Sequence, residues 1–233
     1  MKTQKLGELE CVWIPSRSGK VERIVVLMHG FGAPGEDLVG LERDLRVSDG
    51  TAFLYPKAPH SFAELYGAPP FVDARAWWKL DLERIERARR NGGIRDLAQE
   101  RPDGLDAARS LVVGMLDAIE REHPAAKIVL GGFSQGAMLA CDTALREERS
   151  LSGLLLLSGT LLCEGEWTAL FPKLARVPVF QSHGTEDDIL PYALAERLRD
   201  GLVAVGANVT FVRFVGGHGL SEEVLQGLAK FLA

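Results

Sequence analysis

Three residue types that together perform acyl transfer, a serine, a carboxylate and a histidine, occur in that order in this chain. The serine is Ser134, in GFSQG (132–136), the pattern G-x-S-x-G. An apolar run, KIVLGG (127–132), precedes it and a helix-like run, QGAMLACDTALREE (135–148), follows. Strand, sharp turn and helix are the setting of a nucleophile elbow. Gly132 and Gly136 leave room for close backbone approach. The hydroxyl then stands at a helix N-terminus, where N–H groups favour developing negative charge. The plain alternative is a turn in which Ser134 merely caps the helix.

A serine hydroxyl is a poor nucleophile near neutral pH and needs a base, which in turn needs an orienting acid. In an elbow-type site the acid and then the histidine follow the serine along the chain. Only His183 and His218 follow Ser134. His218 lies in FVGGHGLSEE, where glycines let the loop turn toward a neighbouring strand end, and it is the expected base. His183, in SHGTEDDILP, is read as shaping its loop. The acid candidates there are Glu186, Asp187 and Asp188. Asp187 is preferred over Asp188, although spacing alone does not separate them. Acyl transfer also needs donors for the oxyanion. The backbone N–H of Gln135 follows the nucleophile. The N–H of Phe31, in LMHGFGAPGED (27–37), is the expected second donor, with a helix starting near Glu36. His29 is read as structural or loop-orienting.

These residues need a scaffold. Short apolar runs at 10–14, 23–30, 51–56, 127–132, 153–159, 177–184 and 208–217 read as strands. Helix-like segments at 36–46, 104–122, 135–148, 191–206 and 221–233 alternate with most of them. That alternation predicts an α/β fold with a mostly parallel sheet and one domain over 1–233. The short link between the first two listed strands predicts that they pair antiparallel. Residues 56–104 interrupt the pattern, first with a Pro- and aromatic-rich loop, then with a charged stretch read as one or two surface helices around a Gly-Gly break. Tyr66, Phe71, Trp77 and Trp78 in this region are candidates to bind the apolar part of a substrate.

The chain has 233 residues, 46% hydrophobic and 25% charged, with net charge −5. There is no basic patch of the kind nucleic-acid binding needs. No apolar run is long enough to span a bilayer. The opening MKTQKLGELECVWIP lacks the apolar core of a secretory signal. Three widely spaced cysteines form no CxxC pair, so no metal or redox site is expected. The expectation is a cytoplasmic protein with reduced thiols. Its partners would be a small-molecule or lipid acyl ester, with no nucleic acid and no integral membrane contact. A homodimer is compatible with the sequence.

Taken together, LMHGFGAPGED, YPKAP (55–59), ARAWW (74–78), GGFSQGAM (131–138), LSG (157–159), HGTEDDILP (183–191) and GGHG (216–219) resemble the phospholipase/carboxylesterase family of α/β hydrolases, to which the acyl-protein thioesterases belong. The resemblance runs over nearly the whole chain. It implies an α/β-hydrolase fold and a cofactor-free hydrolase of carboxylic esters, thioesters or lysophospholipids. The family pattern H-G-x-x-D-x-x-[VL]-P assigns the acid to Asp187. The resemblance likewise assigns the nucleophile to Ser134, the base to His218 and the oxyanion donors to the backbone of Phe31 and Gln135. Relatives often carry R-A-W-[FY]-D where this chain has RAWWKLD, and the segment from about Leu82 to Glu100 looks inserted. A serine carboxylesterase is the leading expectation. A thioesterase or lysophospholipase is the alternative, and a non-catalytic ligand-binding relative the contrasting one.

Overall fold

The computed structural model describes residues 1–69, 71–90 and 98–233 and, within 82–90, the side chains of all but residues 85, 86, 88 and 89. The strands are β1 (Lys2–Leu6), β2 (Leu9–Ile14), β3 (Arg23–Met28), β4 (Thr51–Pro56), β5 (His60–Ser61), β6 (Arg75–Ala76), β7 (Lys127–Phe133), β8 (Leu151–Leu157), β9 (Val179–Gly184) and β10 (Val209–Phe214). The helices are α1 (Phe62–Tyr66), α2 (Leu82–Arg90), α3 (Leu105–Glu122), α4 (Gln135–Arg146), α5 (Glu164–Leu170), α6 (Tyr192–Ala204) and α7 (Glu222–Leu232). Eight strands form one sheet in the order β1-β2-β4-β3-β7-β8-β9-β10. Neighbours run parallel from β4 through to β10, and β1, β2 and β4 pair antiparallel. The buried strands read as continuous apolar runs because a parallel sheet is covered on both faces. Residues from α3, α4, α5 and α6 build the core on one face, and α7 with the loop after β3 builds the other.

Two sequence expectations change here. The strands expected at 10–14 and 23–30 do not pair with each other, because β4 lies between them. Strands sit about 4.8 Å apart and a chain spans about 3.3 Å per residue. The link of residues 15–22 therefore reaches past β4, and a short link does not compel adjacency. The helix expected over 36–46 is instead a series of turns with a single 3₁₀ turn at Leu41–Arg43. Gly40 holds φ 107° in its middle, which a continuing α-helix does not allow. Within 56–104, β5 and β6 form a small ribbon and α2 is one of the expected surface helices. The Gly-Gly break lies outside the described residues. The strand β1 and helix α5 have no counterpart among the sequence expectations, and β5, α1 and β6 lie in the stretch expected to be loop.

The helical layer beside the site is tied by ion pairs. Asp142 on α4 is fully buried and meets Arg109 on α3 at 2.5 Å and Arg146 at 2.7 Å. It also accepts from the Trp167 indole of α5 at 2.8 Å. Arg101 joins Asp106 and Glu166 to this group, and Cys163 N–H donates to Glu100 O at 3.1 Å. Glu100 and Arg101 are thereby pinned to α3 and α5.

Candidate active site

The turn between β7 and α4 places Ser134 at φ 54°, ψ −117°, a conformation an L-residue adopts only under constraint. Such strain costs of order 1–3 kcal/mol and persists where surroundings overdetermine it. Here Ser134 N–H donates to Leu157 O at 2.8 Å, and Ser134 O accepts from Ala137 and Met138. The side chain makes no capping hydrogen bond to α4, so the plain capping reading fails. A Cβ on Gly132 would sit 2.5 Å from Met28 O and 2.6 Å from Gly136 C. A Cβ on Gly136 would sit 2.6 Å from Met28 C and 2.7 Å from His29 O. Both glycines are required because the end of β3 crosses directly over the elbow. Gly136→Ala is expected to cost about 1–3 kcal/mol by overpacking against backbone that has no rotamer to yield. Urea denaturation checks this, and an unchanged midpoint would show that β3 and the elbow separate freely.

Beyond β8, the ends of β9 and β10 carry Asp187 and His218. His218 follows β10, and its Nδ1 lies 2.7 Å from Asp187 Oδ2. The loops interlock: Thr185 N–H donates to Phe214 O and Glu186 N–H to Gly216 O, both at 2.9 Å. Gly184 permits this, since a Cβ there would collide with the carbonyl oxygens of Gly216 and Gly217. Ser158, buried at the end of β8 with φ 48°, donates its hydroxyl to Gly219 O at 2.9 Å and so holds the residue after His218. Asp187 is 4% exposed, whereas Asp188 is exposed. Burial alone would raise the Asp187 pKa. Hydrogen bonds from His183, His218 and the Leu190 N–H outweigh it and hold the carboxyl well below the usual carboxylate range.

The loop after β3 faces the elbow. Among the described residues, neither the Phe31 nor the Gln135 backbone N–H has a hydrogen-bond acceptor in the protein. Gly32 N–H donates to Arg75 O at 2.8 Å and Arg75 N–H to Ala33 O at 3.0 Å, so β6 braces this loop. The Phe31 ring packs on Phe62 and Tyr66 of α1 at centroid distances of 4.9 and 6.1 Å. No α-helix begins near Glu36, so the donor at Phe31 owes its position to this bracing and to no helix dipole. The Gln135 amide has its own task. Its Oε1 accepts from Trp77 N–H at 2.9 Å and its Nε2 donates to Trp78 O at 3.0 Å, which fastens the Trp77-Trp78 segment to the elbow.

His29 is structural, as the sequence suggests. Its Nε2 accepts from Ala58 N–H at 3.0 Å, and its Nδ1 lies 2.8 Å from Gly30 O. That pattern requires the proton on Nδ1. Burial is the largest influence on His29 and lowers its pKa. A second proton would also confront Ala58 N–H. The sign follows directly: below the unfolded histidine value of about 6.5, the unfolded state binds more protons than the folded one. His29 therefore contributes stability fully above about pH 6.5, and that contribution is lost as pH falls toward its lowered folded value. Urea midpoints measured from pH 7.5 to 5 are expected to decline. His29→Gln, which keeps an acceptor for Ala58 and cannot titrate, should flatten part of that slope, and an unaltered slope would refute the assignment.

Ser134, Gln135, Phe31 and His218 all line one cavity of about 920 Å³. Its apolar wall includes Tyr66, Trp78, Met138, Leu162 and Leu190, and charged residues of the 79–103 region form its rim. Of the four residues expected to bind substrate, Tyr66 and Trp78 line the cavity, whereas Trp77 and Phe71 do not. Trp77 is fully buried behind it, with its indole N–H donated to His29 O at 3.0 Å. Of the two adjacent tryptophans, only Trp78 lines the cavity. Phe71 is 86% exposed on the loop before β6. The Tyr66 hydroxyl donates to Leu80 O and accepts from Leu80 N–H, while Lys79 lies over its ring. Sequence reasoning missed Met138, although its i+4 spacing from Ser134 puts it on the same helical face. Leu162 carried no comparable signal, and Ser158 stood in the LSG run without an assigned role.

Comparison with known proteins bears on the family and the fold. A family model described as Phospholipase/Carboxylesterase matches residues 9–233. Acyl-protein thioesterase 1 of Neurospora crassa is 36% identical over 124 residues, about half the length of each chain (50% and 51%). Acyl-protein thioesterase 1 of Eremothecium gossypii is 26% identical over 232 residues, covering 94% of this chain and 90% of that protein. Among solved structures, esterase PE8 superposes with a TM-score of 0.78 at 29% identity, covering 96% of this chain and 97% of its own. Acyl-protein thioesterase 2 of Zea mays, at 24% identity and TM-score 0.72, covers 95% and 96% and shares the fold. The sheet and helices described above are those of an α/β hydrolase.

Proposed function

The chain belongs to the phospholipase/carboxylesterase family, as a hydrolase of the carboxylesterase and acyl-protein thioesterase type, and we propose that it cleaves carboxylic esters through Ser134, His218 and Asp187. The observation that carries this reading is the meeting of the strained Ser134 and the Asp187-paired His218 in one apolar-walled cavity. Ser134 Oγ attacks the acyl carbonyl carbon while His218 takes the hydroxyl proton. Asp187 keeps the His218 proton on Nδ1, which leaves Nε2 as the base. The free N–H groups of Phe31 and Gln135 stabilise the oxyanion. His218 returns its proton to the departing alkoxide, which leaves as the alcohol. Water then attacks the acyl-enzyme by the same route and releases the acid. Tyr66, Trp78 and Met138 hold the acyl chain.

The names of the sequence relatives favour one second reading, in which the leaving group is a thiolate from an acyl thioester. The chemistry at Ser134 is unchanged and only the leaving group differs. A cytoplasmic setting accompanies either reading, supported by three free, buried cysteines. A fluorophosphonate probe, with the modified peptide located by mass spectrometry, tests the assignment. Labelling is expected at Ser134 alone, and an unlabelled Ser134 in folded protein would reject the reading. Matched p-nitrophenyl esters, thioesters and lysophospholipids of several chain lengths then separate the substrate classes by kcat/KM.

A further inference from the structure

Asp187 has a second histidine on it. His183, fully buried on β9, places Nε2 3.1 Å from Asp187 Oδ2, the same oxygen that lies 2.7 Å from His218 Nδ1. The His183 Nε2 is also 3.0 Å from Leu190 O. A carboxylate and a carbonyl are both acceptors, so Nε2 must carry the proton. The opposite nitrogen, Nδ1, is buried with no partner among the described residues. The other carboxylate oxygen, Oδ1, accepts from Ile189 N–H at 2.9 Å and Leu190 N–H at 2.8 Å. Three N–H donors, from His218, Ile189 and Leu190, hydrogen-bond the carboxylate, and the His183 N–H, bonded to Leu190 O, lies 3.1 Å from Oδ2 as a fourth, shared donor at its roughly four acceptor positions. Leu190 closes a ring, giving its N–H to Asp187 and taking the His183 proton on its carbonyl.

We propose that His183 is a positioning residue for acyl transfer, sharing Asp187 Oδ2 with His218 and thereby fixing which carboxylate oxygen faces the base and how strongly it holds it. This rests on the serine-hydrolase reading above. Two consequences follow. Without the His183 donor the Asp187 carboxylate turns more freely about its last bond, and His218 loses its alignment toward Ser134. The negative charge on Oδ2 is also no longer shared with a second N–H. It then binds the protonated form of His218 more strongly, so the acid limb of the rate profile moves to higher pH. The other ionisable groups nearby are Tyr192 of α6, whose ring centroid is 6.2 Å from that of His183, and Glu186 and Asp188 flanking Asp187 on the loop. Neither Glu186 nor Asp188 is buried, so exchange with solvent screens them more than the pair inside.

The test compares His183→Leu, which removes the donor, with His183→Gln, whose amide nitrogen reaches the same place. His183→Leu is expected to lower kcat and the fluorophosphonate labelling rate at Ser134 roughly 10- to 100-fold, with KM little changed, as misalignment does. The acid limb of its kcat/KM profile should move to higher pH, and His183→Gln should recover most of the rate. A folded His183→Leu protein with wild-type rate and an unmoved limb overturns the proposal. So do equal losses in both variants with an unmoved limb, which is what a merely structural residue would produce. Should neither variant fold, ¹⁵N NMR of histidine-labelled wild-type protein decides: a protonated His183 Nε2 supports the proposal and a bare one overturns it. Wild-type protein that is not labelled at Ser134 would instead bring down the serine-hydrolase reading itself.

Discussion

Replacing Ser134 with alanine is expected to lower kcat for ester hydrolysis roughly 10⁴- to 10⁶-fold while leaving the fold intact. The size follows from what is removed. The oxyanion donors and the cavity remain, so substrate still binds and some acceleration over water persists. The covalent route disappears, because no other hydroxyl replaces Ser134 Oγ at the elbow. The fold should survive because Ser134 makes no capping bond and its backbone bonds to Leu157, Ala137 and Met138 do not involve the side chain. Alanine bears the same backbone strain as serine at φ 54°. The thermal midpoint is therefore expected to stay within a few degrees of wild type, since a change of about 1 kcal/mol moves a chain of this size by about 2–4 °C. The measurement is steady-state kinetics on protein purified from a host lacking competing esterases. Most of the activity surviving in that preparation would rule Ser134 out as the nucleophile.

Asp187→Asn is the second large effect, a loss of roughly 10⁴-fold in kcat through the wrong histidine tautomer. In the wild type, Oδ1 takes two backbone N–H groups and Oδ2 takes the His218 Nδ1 hydrogen bond with His183 Nε2 beside it at 3.1 Å. Asparagine can satisfy only one of these sides. Its carbonyl suits Ile189 and Leu190, which turns the NH₂ group toward His218 Nδ1. Two donors then face each other, so His218 moves its proton to Nε2 and can no longer accept one from Ser134. The alternative flip turns the NH₂ group on the backbone N–H pair and disturbs the loop. Because the Asp187 pKa is held well below the ordinary range, the wild-type carboxylate stays ionised wherever the enzyme works. The acid limb of the wild-type profile is therefore not expected to report Asp187. A kcat profile from pH 5 to 9 for both proteins checks the argument. An asparagine variant within about tenfold of wild type would mean that another group orients His218.

Much of this site is legible in the sequence, and the reason is local. The glycines around Ser134 are demanded by backbone approach within one turn, so they leave a fixed pattern. The order of serine, acid and histidine follows from the ends of β7, β9 and β10 in one parallel sheet. Asp187 is harder, because Asp188 has the same chemistry one residue away. Burial separates them, and burial belongs to the packed loop. The choice between Trp77 and Trp78 is of the same kind. Both are apolar, adjacent and equally suited to a substrate wall, and the Gln135 clamp and the His29 carbonyl decide which one turns away.

The sequence by itself determined the alternation of strands and helices, the elbow, and the three residue types that the chemistry needs. Each of these depends on steric and hydrogen-bonding limits acting within a few residues. Only the tertiary structure decided that β4 separates β2 from β3, that the loop after β3 is braced by Arg75 and begins no α-helix, and that His183 and His218 share one oxygen of Asp187. Those outcomes are set by contacts between segments far apart in the chain. Packing selects among conformations that local propensity leaves nearly equal in energy, and neighbouring residues carry no record of that selection.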